Sequence, residues 1–378
     1  MRVLQLAARM LSLERFALPL MERLQDEGFH VEAMGRFDGT EGRLLAADFP
    51  VHDWNAGHTF NPLRMVAARR QLSRFLGDRE FDIVHSHCSF GGIMGNPVAH
   101  RLGPHVIYTQ HGFYVHDGLN PLMRAAWLWI EKAGLRPADH VICVSRAEQE
   151  LARSLGAGPP DKFVHVPGAG IEISDFQPDT DEHLRRRGAA RDSLEISEEE
   201  TVLLTVSRLT RDKGYQEMID AARVLRDGGH RFVLLAAGSG KDETSIRRAI
   251  TDAGLDGTFR LLGWRDDVAD LYCAADIFVF ASHREGLPIA PIEAMAMGLP
   301  VVLSDIPGCC EEVEEGVSGY TFATGDVKGL ADRLSKLITE PEERARIGRA
   351  ARERAKAFDI GRVLDRQVAL YREIAATL

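Results

Sequence analysis

The sequence predicts an α/β protein built from two tandem, doubly wound, Rossmann-like domains. Short apolar runs ending in polar residues alternate with helical stretches in both halves, the pattern of a parallel sheet covered on both faces. Between the halves lies VPGAGIEISDFQPDTD, whose Gly, Pro and Asp content marks a linker. The halves also differ in charge. Residues 1–170 carry 18 basic and 18 acidic side chains, so the net charge of −10 belongs to the remainder, while 11 of the 14 histidines lie in the first part. The expected domains run 1–170 and 175–358, with 359–378 a final helix returning to the first domain.

The first domain opens with the strand RVLQLA. A helix is expected over Leu13 to Glu27, ended by Gly28, and then the strand HVEAM. In NPLRMVAARRQLSRFLG, Asn61 is the cap, Pro62 the first helical residue and Gly77 the stop. DIVHSH, HVIYTQHG and HVICVS are further strands. In the second domain TVLLTVSRL, RFVLLAAGSG, FRLLGW, DIFVFAS and PVVLSDIPG read as strands, and GYQEMIDAARVLRDGG as a helix. The last helix, about Ile360 to Ala376, offers Val363, Leu364, Val368, Leu370, Tyr371 and Ile374 for packing. In such sheets ligands sit beyond the carboxyl ends of the strands, here facing an interdomain cleft.

Composition excludes several classes. With 45% hydrophobic and 27% charged residues the chain reads as globular. Its charge argues against bulk nucleic-acid binding. No signal-peptide pattern or apolar run of membrane-spanning length is seen, and five scattered cysteines suit a reducing cytoplasm. Cys309 and Cys310 read as two small residues beside a turn.

Four stretches carry candidate chemistry. In SRLTRDKG, Arg208 and Lys213 flank a tight loop that opens a helix, a cation pair suited to a diphosphate. AAGSGK, with Gly238, lacks the Walker spacing and reads as a strand-to-helix turn near the cleft. HREGLPIAPIEAMAMG places Glu285 on a loop at a strand end and Glu293 early in a helix, separated by Gly286, Leu287 and Pro288. A carboxylate accepts both hydroxyls of a cis-diol such as ribose. In NPLMRAAWLWIEKAG, Trp127 and Trp129 sit on a helix apolar nearly all round. The plain reading is a buried helix, and a membrane-facing or acceptor-lipid surface is the alternative. The string DTD at 179–181 falls in the linker, His85 and His87 read as cleft-lining or buried neutral histidines, and no metal site is expected.

SRLTRDKG, EGLPIAPIEAMAMGLPVVLSDIPG and PGAGIEISDFQP, in this order, resemble the retaining family-4 glycosyltransferases of GT-B fold. FDIVHSH and TQHGFYVHDG resemble acceptor-domain segments of members that build capsular and lipid-linked glycans. The resemblance implies that Arg208 and Lys213 hold the donor diphosphate and that Glu293 binds the ribose. It implies that Glu285 contacts the transferred sugar, that His111 sits beside the reacting centre, and that the backbone at Leu262–Gly263 meets the base. The chain lacks the family's Gly-Gly pair after the first strand. LAARMLSLERF stands there, with Ser12 as helix cap and phosphate donor.

The expected activity is metal-independent, retaining transfer of a hexose or N-acetylhexosamine. The donor is a nucleotide sugar, a UDP-sugar foremost, and no cofactor is needed. The acceptor is a lipid-linked saccharide in polysaccharide biosynthesis, at the cytoplasmic face of the membrane with peripheral contact. Rival readings are a small soluble acceptor, a sugar-nucleotide epimerase and a non-catalytic sugar-nucleotide-binding protein.

Overall fold

Seven parallel strands form the first sheet: β1 (Arg2–Ala7), β2 (His30–Gly35), β3 (Val51–Asp53), β4 (Ile83–His87), β5 (His105–Thr109), β6 (His140–Cys143) and β7 (Phe163–His165). Their order is β3-β2-β1-β4-β5-β6-β7. The second sheet holds β8 (Thr201–Val206), β9 (Phe232–Ala237), β10 (Phe259–Gly263), β11 (Ile277–Phe280), β12 (Val301–Ser304) and β13 (Tyr320–Phe322). Here the order is β10-β9-β8-β11-β12-β13. The computed structural model describes residues 1–57, 60–115, 119–168, 170–176, 178 and 180–378. The chain divides into one unit of Met1–Ala169 with Gly361–Leu378 and a second of Gly170–Ile360.

Both sheets are Rossmann-like, and in each the strand order reverses at the central pair, β1/β4 and β8/β11. The near-continuous apolar strands are buried on both faces. Along β8, Val202 and Leu204 pack into one core and Leu203 into the other. Along β1, Leu4 and Leu6 face one core and Val3 the opposite one. That alternation is the two-residue period of a pleated strand.

The expected helix over Leu13 to Glu27 is two helices, Met10–Phe16 and Leu18–Asp26. Pro19 falls in the first turn of the second helix, where its missing N–H costs nothing; inside a continuous helix it would have removed a hydrogen bond. Asn61 caps the helix Pro62–Gly77 through Leu63 and Arg64 N–H, and Gly77 is its last residue rather than the stop beyond it. Periodicity gives no sign of the helix Cys88–Leu102, which contains Gly91, Gly92, Gly95 and Pro97. A Cβ on Gly92 would lie 2.6 Å from the Tyr108 ring, and one on Gly95 would collide with Leu6. These glycines let the helix press on the sheet. The helix Ile360–Ala375 buries Val363, Val368, Leu370, Tyr371 and Ile374 in one core of the first unit.

The Trp127/Trp129 helix, Pro121–Leu135, is not the buried helix of the plain reading. Only Glu131, Gly134 and Leu135 are buried, while Trp129 is 72% and Leu122 80% exposed. No helix among the described residues is long and apolar enough to cross a membrane. The DTD string lies partly outside the described residues, since Asp179 is not among them; the same holds for His116, Asp117 and Gly118 of TQHGFYVHDG.

Candidate active site

In the second unit, the loops that leave β8, β9 and β10 are laced together. Ser207 N–H donates to Ala237 O at 3.0 Å, Leu209 N–H to Ser239 O at 3.0 Å, and Gly238 N–H to Gly263 O at 2.8 Å. Gly238 has φ +142°, and a Cβ there would collide with the Ser207 carbonyl. A side chain at this position would push the loops apart. The AAGSGK turn therefore braces the Arg208 loop.

After that loop, Arg211–Lys213 form a single 3-10 turn and the helix Tyr215–Asp227 begins. Gly214 joins the two at φ +68°, where a Cβ would collide with the Ala281 carbonyl just past β11. This close approach delivers Lys213 beneath the next strand end. Its Nζ pairs with Glu285 Oε1 and lies 5.7 Å from the Phe280 ring centre. Lys213 is buried; Arg208 is 64% exposed, with Nη2 3.4 Å from Asp212 Oδ2. Asp212 O accepts from His283 N–H at 2.8 Å, which ties the turn to the loop carrying Glu285. Two cations thus stand at the switch point of the sheet, one anchored and one free to reorient.

Gly286, Leu287 and Pro288 follow, and Pro288 leads into the helix Ile289–Ala296. The Gly286 carbonyl would be 2.5 Å from a Cβ on Gly308, so the short helix Pro307–Glu312 closes on this loop. Glu293 accepts a 2.8 Å hydrogen bond from Tyr272 Oη through Oε2. Burial raises its carboxyl to about 7, against the opposing Tyr272 bond. Glu293 therefore sits half-ionised near neutrality, poised for a partner that donates to the anion. Glu312 is fully buried, both its carboxyl oxygens lack a hydrogen-bond partner among the described residues, and burial first, then Glu285 and Glu311, drive it well above the ordinary range.

In the first unit, Ser12 is not a cap. The helix begins at Met10 with Arg9 at its N-cap and no side-chain capping bond, since a guanidinium has no acceptor to offer; Met10 N–H donates instead to Arg36 O at 3.0 Å. Ser12 lies inside the first turn and bonds Cys88, whose thiol burial pushes up to about 11. His111 follows β5 in left-handed backbone, φ +56°. For a residue other than glycine this costs of order 1–3 kcal/mol. The segments on both sides hold it there. Gln110 Nε2 donates to Glu131 Oε2 at 2.9 Å, and Tyr114 N–H donates to Glu131 Oε1 at 3.3 Å. The His111 ring stacks on Phe16, centroids 4.5 Å apart, and its Nε2 lies 3.0 Å from His87 Nδ1. His85 and His87 are buried, and burial lowers the His85 and His111 imidazoles to about 3 and His87 well below its usual value.

Within the second unit, Lys213 meets Glu285, Gly238 meets Gly263, and Glu293 stands apart on its helix with Tyr272. Sequence reasoning missed Tyr272, Phe280 and Asp212. Asp212 could have been read from its place between Arg208 and Lys213, but Tyr272 lies on another helix, Val268–Ala274, and carried no local signal.

Residues 13–169 match the model of the glycosyl transferase 4-like domain, and residues 186–354 that of the glycosyl transferases group 1. The chain is 25% identical over 369 residues to N,N'-diacetylbacillosaminyl-diphospho-undecaprenol alpha-1,3-N-acetylgalactosaminyltransferase of Campylobacter jejuni, covering 95% of each. It is 29% identical over 313 residues to D-inositol 3-phosphate glycosyltransferase of Saccharomonospora viridis, covering 78% of this chain and 71% of the relative. The fold is also that of Anabaena Alr3699/HepE, solved in complex with UDP and glucose, with a TM-score of 0.83, 20% identity and full coverage of both chains. Two Rossmann-like sheets with these matches define a glycosyltransferase of GT-B fold. The chain belongs to the family-4-like glycosyltransferases.

Proposed function

We propose that the protein moves a hexose or N-acetylhexosamine from a nucleotide sugar, a UDP-sugar foremost, to an acceptor hydroxyl with retention of configuration. The observation that carries this reading is the cation pair at the β8/β11 switch point. Lys213 is held by Glu285, and Arg208 stands exposed beside it. Preorganised cations stabilise charge on a departing diphosphate without a metal ion. Glu293 takes the ribose diol, and Glu285, besides orienting Lys213, reads hydroxyls of the sugar. The acceptor hydroxyl attacks from the face the diphosphate leaves, and a leaving-phosphate oxygen takes its proton.

For the acceptor we favour a lipid-linked saccharide. The first unit exposes Leu63 and Val66 on the helix Pro62–Gly77, and Leu122, Met123 and Trp129 on the helix Pro121–Leu135. Phe60 joins this surface through its ring contact with Trp127, 5.7 Å between centroids. Exposed Arg64, Arg70, Arg74 and Arg124 accompany it. Arg69 does not, because its Nη2 donates to Ile93 O at 2.8 Å. An apolar surface with arginines among it suits an anionic membrane, and the Campylobacter relative's name specifies an undecaprenol-linked acceptor. The Saccharomonospora relative, named for inositol phosphate, keeps a small soluble acceptor as the second reading.

Incubation with a panel of sugar nucleotides, with and without a polyprenyl-diphosphate sugar, tests the proposal. Transfer that requires acceptor and fails in Arg208→Ala supports it. Product from donor alone would make the protein an epimerase, and binding without turnover a sugar-nucleotide-binding protein.

A further inference from the structure

A chain of buried polar groups runs from the C-terminal helix to His111, entirely inside the first unit. His111 Nε2 is 3.0 Å from His87 Nδ1, and His87 Nε2 is 2.7 Å from Gln5 Oε1. Gln5 Nε2 is 3.0 Å from Tyr371 Oη, which is 2.7 Å from His85 Nδ1. His85 Nε2 is 2.7 Å from Thr109 Oγ1. Gln5, His85, His87, Thr109 and Tyr371 are buried. Such groups need every donor matched to an acceptor.

The inventory of donors allows two orders of opposite sense, and the orientation of the Gln5 amide selects one. The imidazoles are neutral, because burial disfavours their charged form, so each offers one N–H and one bare nitrogen. Gln5 presents its carbonyl oxygen to His87 and its amide N–H to Tyr371. His87 therefore carries its proton on Nε2, and its bare Nδ1 accepts from His111 Nε2–H. At the other end Tyr371 accepts from Gln5 and donates to His85 Nδ1, and His85 Nε2–H donates to Thr109. Turning over the Gln5 amide would reverse every bond in the chain and place the His111 proton on Nδ1. No intermediate arrangement satisfies all the groups.

We propose that Gln5, its amide held between His87 and Tyr371, is a positioning residue that fixes His111 as its Nε2–H tautomer and leaves Nδ1 as an acceptor for a substrate hydroxyl. Among the described residues no protein group partners that Nδ1. The C-terminal helix is thereby part of the device that sets the hydrogen-bonding sense of the site. The tautomer order rests on the orientation of the Gln5 amide; its use in transfer rests on the glycosyltransferase reading.

Long-range proton–nitrogen correlation of the imidazoles, with His111→Ala for assignment, tests the chain on the full protein. We expect a single His111 tautomer, bare at Nδ1. Tyr371→Phe removes both the acceptor of the Gln5 amide and the donor to His85, so neither sense of the amide then satisfies every group. The His111 signal should become a mixture while the rest of the spectrum keeps its dispersion. With both tautomers equally populated, the competent fraction falls to about one half, and kcat about twofold, at unchanged nucleotide KM. Gln5→Met, which deletes the link at another point, should give the same mixture even if Tyr371→Phe does not fold. A His111 proton on Nδ1 in the unaltered protein would overturn the proposal, as would a tautomer indifferent to both substitutions. A tautomer shift in a protein without transferase activity would leave the chain standing and remove the catalytic reading.

Discussion

Glu293 should make nucleotide binding depend on pH. Its carboxyl lies near 7 in the free protein because burial penalises the anion, and two ribose hydroxyls would donate to the ionised form. Binding then pulls its pKa down and releases a proton. If the complex is ionised throughout, the competent fraction rises from about one eleventh at pH 6 to about ten elevenths at pH 8, roughly a tenfold gain in UDP affinity. At pH 7 about half a proton should leave per nucleotide bound. Calorimetric titration with UDP, in buffers of different ionisation enthalpy, measures both quantities. UDP has its own titrating phosphate, but it is common to wild type and Glu293→Gln, so the difference isolates Glu293. In Glu293→Gln the tenfold component should vanish, and affinity at pH 8 should fall by about tenfold as charge-assisted bonds become neutral ones. A wild-type profile identical to that of Glu293→Gln would refute this role.

The two cations should separate by mutation. Arg208→Ala should lower turnover by about 10²–10³ and leave thermal unfolding nearly unchanged, because its only charged contact among the described residues is a 3.4 Å pair at an exposed site. Lys213→Ala should lose activity and stability together, since Glu285 is left without its partner; Lys213→Met with Glu285→Gln should recover the stability but not the turnover. Glu312→Met should raise the melting temperature. The folded-state pKa of Glu312 lies above its unfolded value of about 4.5, so the wild type loses stability as pH rises through that interval. The gain should therefore be small near pH 4 and larger at pH 8 in thermal scans. Wild type should sediment with anionic vesicles and the double substitution Leu122→Asp, Trp129→Asp should not; failure of wild type to sediment, with efficient transfer to a water-soluble acceptor, would favour the small acceptor.

The strands were legible because buried parallel strands are continuous apolar runs, as in FVLLAA of β9, buried throughout. The short edge strands β3, β7 and β13 offer three residues each and no such run. The helix Cys88–Leu102 escaped because the glycines that let it touch Tyr108 and Leu6 lower helix propensity. The apolar helix Pro121–Leu135 misled in the other direction: hydrophobicity is visible in sequence, but the solvent exposure of Trp129 is not. At the site, Lys213 and Glu285 were each visible from local motifs, yet their pairing depends on Gly214 closing against Ala281. The ordered chain from Tyr371 to His111 joins residues 5, 85, 87, 109, 111 and 371, a union that only the tertiary fold makes.

Metal-free transfer with retention, driven by the Arg208 and Lys213 cations as proposed, leaves its signature in the product. It is tested most directly by following the anomeric proton of the first product by NMR, with an α-linked UDP-sugar, acceptor and EDTA present. The expected result is an α-linked product at an undiminished rate in wild type and almost none in Arg208→Ala. A β-linked product, or activity abolished by EDTA and restored by magnesium or manganese, would contradict it.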